Sequence, residues 1–183
     1  MFRVTVIFLL SFYSPAFSSA KEKIISQMKL TNILSFNFIQ TIDKKDENGS
    51  CIIKYSKKIF CIYDNSSKKI IVSNGKSLVI KNNNKGNYYI YPLKKTFLEL
   101  LLDKNYLISK IKKSELKSIN NKYLNFQFFD NNNEINIFFD KKTLLLTGWQ
   151  TQDIFQNLSI TYISSIKINH DVDNKIFILP KKN

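Results

Sequence analysis

Short apolar runs separated by turn residues fill the chain from Ser50 to Tyr91, and this pattern restricts that stretch to an antiparallel β meander. The runs are Cys51-Ile52-Ile53, Ile59 to Tyr63, Ile70-Ile71-Val72, Leu78-Val79-Ile80 and Tyr88 to Tyr91. Between them lie Asp46 to Gly49, Asp64 to Ser67, Asn74-Gly75 and Asn82 to Gly86, all rich in residues that favour turns. Asn74-Gly75 is the sharpest hairpin signal, because a type I′ turn needs positive φ at both central positions. The pattern returns in Tyr123 to Phe129, Ile135 to Phe139, Leu144 to Trp149, Leu158 to Ile168 and Ile176 to Leu179. About ten strands are expected, with helices only near the start and middle. The expected fold is mainly β with an α+β element: a strongly curved antiparallel sheet forming an incomplete, open β-barrel whose mouth is covered by helices or left open.

The helical segments are read from a change of period. Lys21 to Leu34 places Ile24, Ile25, Met28 and Ile33 near helical spacing among polar residues. Phe36, Phe38 and Ile42 then mark a strand of period two. Pro92 ends the first meander, and Thr96 and Glu99 have the spacing of a capping box at the start of a short helix through Leu102. Phe97, Leu98, Leu100, Leu101 and Leu102 make that helix apolar nearly all round, so both faces need apolar contact. It either plugs its own barrel or touches a ligand.

The N-terminus reads as an export signal. Arg3 precedes the apolar run Val4 to Tyr13 and the small-residue stretch Phe17-Ser18-Ser19-Ala20, so cleavage is expected after Ala20. The run is too short to span a bilayer. No cysteine follows the cleavage site, so the product is not expected to be lipid-modified itself; residues 21–183 are expected to form one domain, soluble in the periplasm.

The net charge of +14 first suggests nucleic acid or an anionic membrane. Arg3 is the only arginine, so the exported part offers no guanidinium for bidentate reading of guanine or phosphate, and no nucleic-acid role is expected. The two cysteines, Cys51 and Cys61, sit ten apart on candidate strands; a turn at Tyr55-Ser56-Lys57 would set them opposite each other, either bridged or as separate core thiols. His170 is the single histidine and no paired CxxC occurs, so neither metal nor cofactor is expected. No serine or cysteine motif accompanies His170 and Asp171, so no catalytic residue is assigned and no enzyme is expected.

Several pieces in order resemble the periplasmic outer-membrane lipoprotein carrier family, LolA. They begin with Ile33-Leu34-Ser35-Phe36-Asn37-Phe38-Ile39-Gln40, then Gly49-Ser50-Cys51-Ile52-Ile53-Lys54, Lys57-Lys58-Ile59 and Tyr63-Asp64. Next come Ile71-Val72-Ser73-Asn74-Gly75-Lys76-Ser77-Leu78, Tyr91-Pro92-Leu93-Lys94-Lys95-Thr96 and Leu100-Leu101-Leu102-Asp103. Gly148-Trp149, Asp153, Asn157, Asn169, Phe177 and Pro180 fit the closing strands. The family's lid-holding arginine and the proline after it are replaced by Tyr55 and Ser56, after Lys54. Phe97 stands for the proline after the lid threonine, and Gln156 for a late-turn glycine.

The resemblance implies a monomeric carrier that takes acylated lipoproteins from an inner-membrane releasing transporter and delivers them to an outer-membrane receptor. A same-fold general lipid shuttle or envelope-stress sensor domain is the alternative. Exposing acyl chains to water costs about 0.8 kcal/mol per methylene, or on the order of 12 kcal/mol for a chain of about 15 carbons, so a carrier must hide them and still release them. The acyl-binding residues implied are Phe36 and Phe38 on the first strand, Leu98, Leu101 and Leu102 on the lid helix, and Trp149. Tyr55 and Lys54 would occupy the lid-latch position and hold the lid less firmly than an arginine, which has five donors in a rigid fork.

Overall fold

In the computed structural model the described residues are 19–182, apart from 56, 65–67, 83, 85, 131–132 and 153–156. The expected export signal through Ser18, and the positions Ser56, Asp153 and Gln156, lie outside them. The strands are β1 (Ile33–Ile42), β2 (Lys45–Lys54), β3 (Lys58–Tyr63), β4 (Lys69–Asn74), β5 (Ser77–Asn82), β6 (Asn87–Pro92), β7 (Leu116–Ile119), β8 (Tyr123–Asp130), β9 (Asn133–Asp140), β10 (Leu146–Gln152) and β11 (Leu158–Ile168). The helices are α1 (Ala20–Leu30), α2 (Leu98–Leu102) and α3 (Lys104–Lys113).

The strands form one antiparallel sheet in the order β6-β5-β4-β3-β2-β1-β11-β10-β9-β8-β7. Two meanders therefore join where β1 pairs with β11, and the free edges are β6 and β7. The sheet does not close, as expected for an open barrel. This topology explains why helices cover one face. The segment from β6 to β7 must travel from one free edge to the other, and α2 and α3 lie on that crossing.

Alternation along β1 decides which face is covered. Leu34, Phe36 and Phe38 are buried, whereas Asn37 and Ile39 between them are exposed. The same face carries Cys51 and Ile53 of β2, Ile59, Cys61 and Tyr63 of β3, and Leu78 of β5, through the pairings Phe36↔Cys51, Cys51↔Cys61 and Ser73↔Leu78. Gly49 shares it, and a Cβ there would lie 2.1 Å from the Ile62 carbonyl and 3.0 Å from the Phe38 ring. Ile24 and Ile25 of α1, Leu100 to Leu102 of α2 and Leu107, Ile108 and Ile111 of α3 complete the core from above. A smaller apolar cluster lies on the opposite face, where Val72 and Val79 pair across β4 and β5 and Phe177 is buried on a 3-10 turn touching β3 and β4.

Several elements differ from expectation. The first helix stops at Leu30, because Leu34 is needed on β1, where it pairs with Ile168. Its start is a capping box between Ser19 and Glu22, available only to a chain that keeps Ser19. The Asn74-Gly75 turn is not type I′. Gly75 alone takes positive φ, 98°, while the Asn74 side chain accepts the N–H groups of Lys76 and Ser77 at 3.0 Å. The expected strand Ile176 to Leu179 is instead a 3-10 turn, Asn174–Phe177, capped by Asp173 accepting from the Lys175 N–H. Both α3 and β7 are additional to the elements expected.

Candidate functional site: an apolar interior under a helical lid

The capping box expected at Thr96 and Glu99 does not form. The Thr96 hydroxyl donates to the Leu93 carbonyl at 2.7 Å, and α2 starts at Leu98 behind Phe97, an N-cap residue that makes no side-chain cap. That leaves the Glu99 carboxylate available to another partner, and Lys57 of the β2–β3 turn supplies it. The Lys57 Nζ lies 2.5 Å from Glu99 Oε1 and 2.9 Å from Asp103 Oδ2, so one ammonium joins the sheet to the α2–α3 junction.

Asp103 is also the N-cap of α3, accepting from the Tyr106 N–H at 3.0 Å. Burial acts to raise the Asp103 carboxyl, but the Tyr106 N–H and the Lys57 ammonium outweigh it and hold the group below its usual range. The bonds to Glu99 and Asp103 raise Lys57 in turn. The turn itself is fixed from below: buried Ser73 donates to the Lys57 carbonyl at 3.1 Å, and Lys57 takes a left-handed φ of 65°.

Among the described residues, Lys57 is thus the cation paired with α2 and its junction, whereas Lys54 and Tyr55, expected at the latch position, make other contacts. Lys54 points the other way and donates to Asn174 Oδ1 at 2.7 Å, tying β2 to the C-terminal segment. Tyr55 packs against the core, burial pushes its phenol up to about 12, and the Lys104 ammonium stands 5.6 Å from its ring. The reason lies in the turn, which aims a side chain at the lid from its last residue rather than its first.

α2 and α3 are held differently. Lys104 at the start of α3 donates to the carbonyls of Lys29 and Thr31 at 3.0 Å and to Asn32 Oδ1 at 3.2 Å, fixing it to the end of α1. Farther along, Lys110 reaches the Phe129 carbonyl and Asp130, and the Tyr106 hydroxyl also bonds Asp130. Among the described residues, the ion pairs that tie α2 and its junction to the sheet are those of Lys57.

Replacing Lys57 with alanine is therefore expected to loosen α2 with little effect on the fold. The pairs are partly exposed, so together they are worth about 1–2 kcal/mol after screening, or roughly a five- to thirtyfold shift toward an open lid. Stopped-flow uptake of an environment-sensitive apolar dye measures it: faster uptake is expected for Lys57→Ala and unchanged uptake for Lys54→Ala. Acid should act in the same direction. Asp103 is held below its ordinary range, so its contribution is complete above about pH 4 and fades as pH falls through the lowered value.

The side chains implied to bind acyl chains are brought together. Phe36 stacks edge-on against Trp149 with ring centroids 6.1 Å apart, and Phe38 against Tyr63 at 4.9 Å. Leu101 and Leu102 are fully buried in the same cluster, and Leu98 packs at its margin. The lid fills the interior with its own leucines. Beneath the helices lies an apolar cavity of about 40 Å³ lined by Ile24, Met28, Leu34, Tyr55, Leu107 and Phe139, close to the volume of one water and far below the several hundred Å³ of a ligand pocket. A wider depression of about 490 Å³ lies along β1 and β2 by Ser35, Asn37, Ser50, Ile52 and His170.

Cys51 and Cys61 are bridged across β2 and β3, directly opposite in register and close to the turn that carries Lys57. His170 lies toward the other face of β1, where its Nε2 is 2.5 Å from the Ser35 hydroxyl and its Nδ1 is 3.0 Å from the Asp171 carbonyl. With a backbone carbonyl rather than a carboxylate behind the ring, the contact fastens the C-terminal segment to β1. Among the described residues, no group of three or more His, Cys, Asp and Glu is placed to hold a metal, and no helix is long and apolar enough to cross a membrane.

The architecture is an open antiparallel sheet whose apolar concave face is covered by the helices that cross between its two free edges. The chain belongs to the outer membrane lipoprotein carrier protein LolA family, which matches residues 29–179. Members of this family are periplasmic carrier and binding proteins. No curated protein matches the chain by sequence. An uncharacterized conserved protein from Thermus thermophilus shares the fold at a TM-score of 0.54 and 7% identity, over 89% of this chain and 96% of that one. The Pseudomonas aeruginosa MucA/MucB complex contains a chain similar at 0.51 and 8%, over 88% of this chain and 61% of that one. A LolA superfamily protein from Nitrosomonas europaea is similar at 0.46 and 10%, over 88% and 99%.

Proposed function

We propose that this protein, exported and freed of its signal near Ala20, carries the acyl chains of lipoproteins across the periplasm. It receives them from a releasing transporter in the inner membrane and gives them up to a receptor at the outer membrane. The observation that carries this reading is the occupied but releasable interior. Leu101 and Leu102 fill the concave face as acyl chains would, and α2 is held over it by one lysine on a flexible stem.

Exchange is the physical core of the reading. Lifting α2 exposes its leucines and the Phe36, Phe38 and Trp149 surface together, and an entering acyl chain covers the sheet surface again. Because one apolar surface replaces another, the net free energy of loading is small, which suits a carrier that must also unload. Triacylated peptide is expected to displace an apolar dye from the purified protein, and the same peptide without its acyl chains is not. Equal displacement by both would reject acyl recognition.

The alternative of an envelope-stress sensor domain draws on the likeness to the MucA/MucB complex, whose matching chain is longer than this one. A sensor and a general lipid shuttle would use the same interior, and what copurifies with the native protein separates them from a lipoprotein carrier.

A further inference from the structure

The free edge at β6 has properties that the lid and the apolar interior do not explain. Between Asp64 and Glu99 the chain contains no acidic residue but has seven lysines: Lys68, Lys69, Lys76, Lys81, Lys85, Lys94 and Lys95. This acid-free stretch forms β4, β5, β6 and the 3-10 turn Leu93–Lys95 that leads into α2. Lys69 is taken by Glu47 of β2, and Lys81 reaches the Lys181 carbonyl. Lys76, Lys94 and Lys95 lie at one end of the edge, because Ser77 pairs with Pro92 and the Leu93 N–H donates to the Lys76 carbonyl at 2.9 Å; Lys94 and Lys95 are exposed there.

From that end runs a row of exposed apolar side chains: Tyr91 is 43% exposed, Ile90 55% and Tyr89 50%. The pairings Leu78↔Tyr91 and Ile80↔Tyr89 put both tyrosines on the concave face of the sheet, at its uncovered margin beside the start of the lid. Edge lysines and Pro92 guard against unwanted strand pairing, but that purpose needs no exposed tyrosines. Tyrosines with an apolar body and a polar tip, next to lysines and free of carboxylates, match the headgroup zone of an anionic bilayer.

We propose that the β6 edge and the Leu93–Lys95 turn dock the protein on an anionic lipid surface. Lysines 76, 94 and 95 meet the headgroups, and Tyr89 and Tyr91 enter the interface from the concave margin, while exposed Ile90, paired with Val79, lies on the other face of the same edge. Docked this way, the mouth under α2 faces the bilayer. The inference stands on charge and exposure at this edge and does not depend on what the interior carries.

Cosedimentation of the exported protein with vesicles tests it. Binding is expected to mixed phosphatidylglycerol and phosphatidylethanolamine vesicles, but not to phosphatidylcholine, and it should weaken with salt. Lys94→Glu/Lys95→Glu should weaken binding by at least about thirtyfold, from roughly fivefold per lysine. Tyr89→Ser/Tyr91→Ser should also weaken it, with apolar dye uptake unchanged in both variants. Equal binding to neutral vesicles, or no effect of either variant, would overturn the proposal. So would binding to polyglutamate without binding to anionic vesicles, which marks an acidic protein partner, or loss of dye uptake together with vesicle binding, which marks these residues as part of the interior site.

Discussion

Leu101→Asp is expected to expel α2 from the concave face while leaving the sheet intact. Leu101 is fully buried, and replacing such a leucine even with alanine costs about 2–5 kcal/mol in lost contacts and cavity. A carboxylate adds desolvation that nothing in the surrounding apolar cluster offsets. Because α2 is a five-residue piece held to the sheet by packing and Lys57, moving it outward costs less than burying the charge. The expected result is a β-type circular dichroism spectrum close to that of the parent, a permanently open interior and at least tenfold weaker retention of apolar dye. Cooperative loss of the whole sheet signal at ordinary temperature would instead make Leu101 part of the central core and remove α2 as the moving element.

Removing the Cys51–Cys61 bridge is expected to cost about 2–3 kcal/mol, from the loop entropy of a ten-residue separation. For a chain of this size that lowers the midpoint of thermal unfolding by about 5–10 °C. The bridge spans the hairpin whose turn holds Lys57, so its loss should also speed dye uptake. Thermal unfolding of Cys51→Ala/Cys61→Ala against the parent measures the first effect and stopped-flow uptake the second. Two alkylatable thiols in protein taken directly from the envelope would contradict the bridge.

Period and turn chemistry made most of the sheet legible, because buried and exposed positions alternate cleanly in β1 and β3 and the turns between strands use Asn, Asp and Gly. The open barrel and its lid were expected on those grounds together with the resemblance. The details that failed depend on choices between competing local partners. Thr96 and Glu99 have capping-box spacing, but Thr96 bonds backward to Leu93 and Glu99 is drawn to Lys57, a partner 42 residues away. Nothing local signals that pairing. α3 was legible in principle: Asp103 as a cap followed by Leu107, Ile108 and Ile111 is a helical signature. The strand expected at Ile176 to Leu179 fails because β11 ends at Ile168 and Asn169 turns the chain at φ 51°, leaving Phe177 to bury as a single side chain on the opposite face.

The site was legible as a set of apolar residues and not as a mechanism. Phe36 and Phe38 share a face by the alternation of β1, but Trp149 is placed with them by the resemblance, since register shifts between Ser35 and Asn37 and between Leu146 and Gly148 interrupt simple alternation across the sheet. Which cation holds the lid could not be read, because Lys54, Tyr55 and Lys57 lie within four residues and a tight turn sends them in different directions. The topology supplies the missing link: a connection between the two free edges must pass over the mouth, so it can be fastened by whatever side chain the turn below aims at it.

The most direct test of acyl carriage is mass spectrometry of the protein purified without detergent from its native envelope. Acylated N-terminal fragments of lipoproteins are expected to copurify, to be released by organic solvent and to be depleted in Leu101→Asp. Recovery of phospholipid alone, or of no acylated molecule at all, would contradict a lipoprotein carrier.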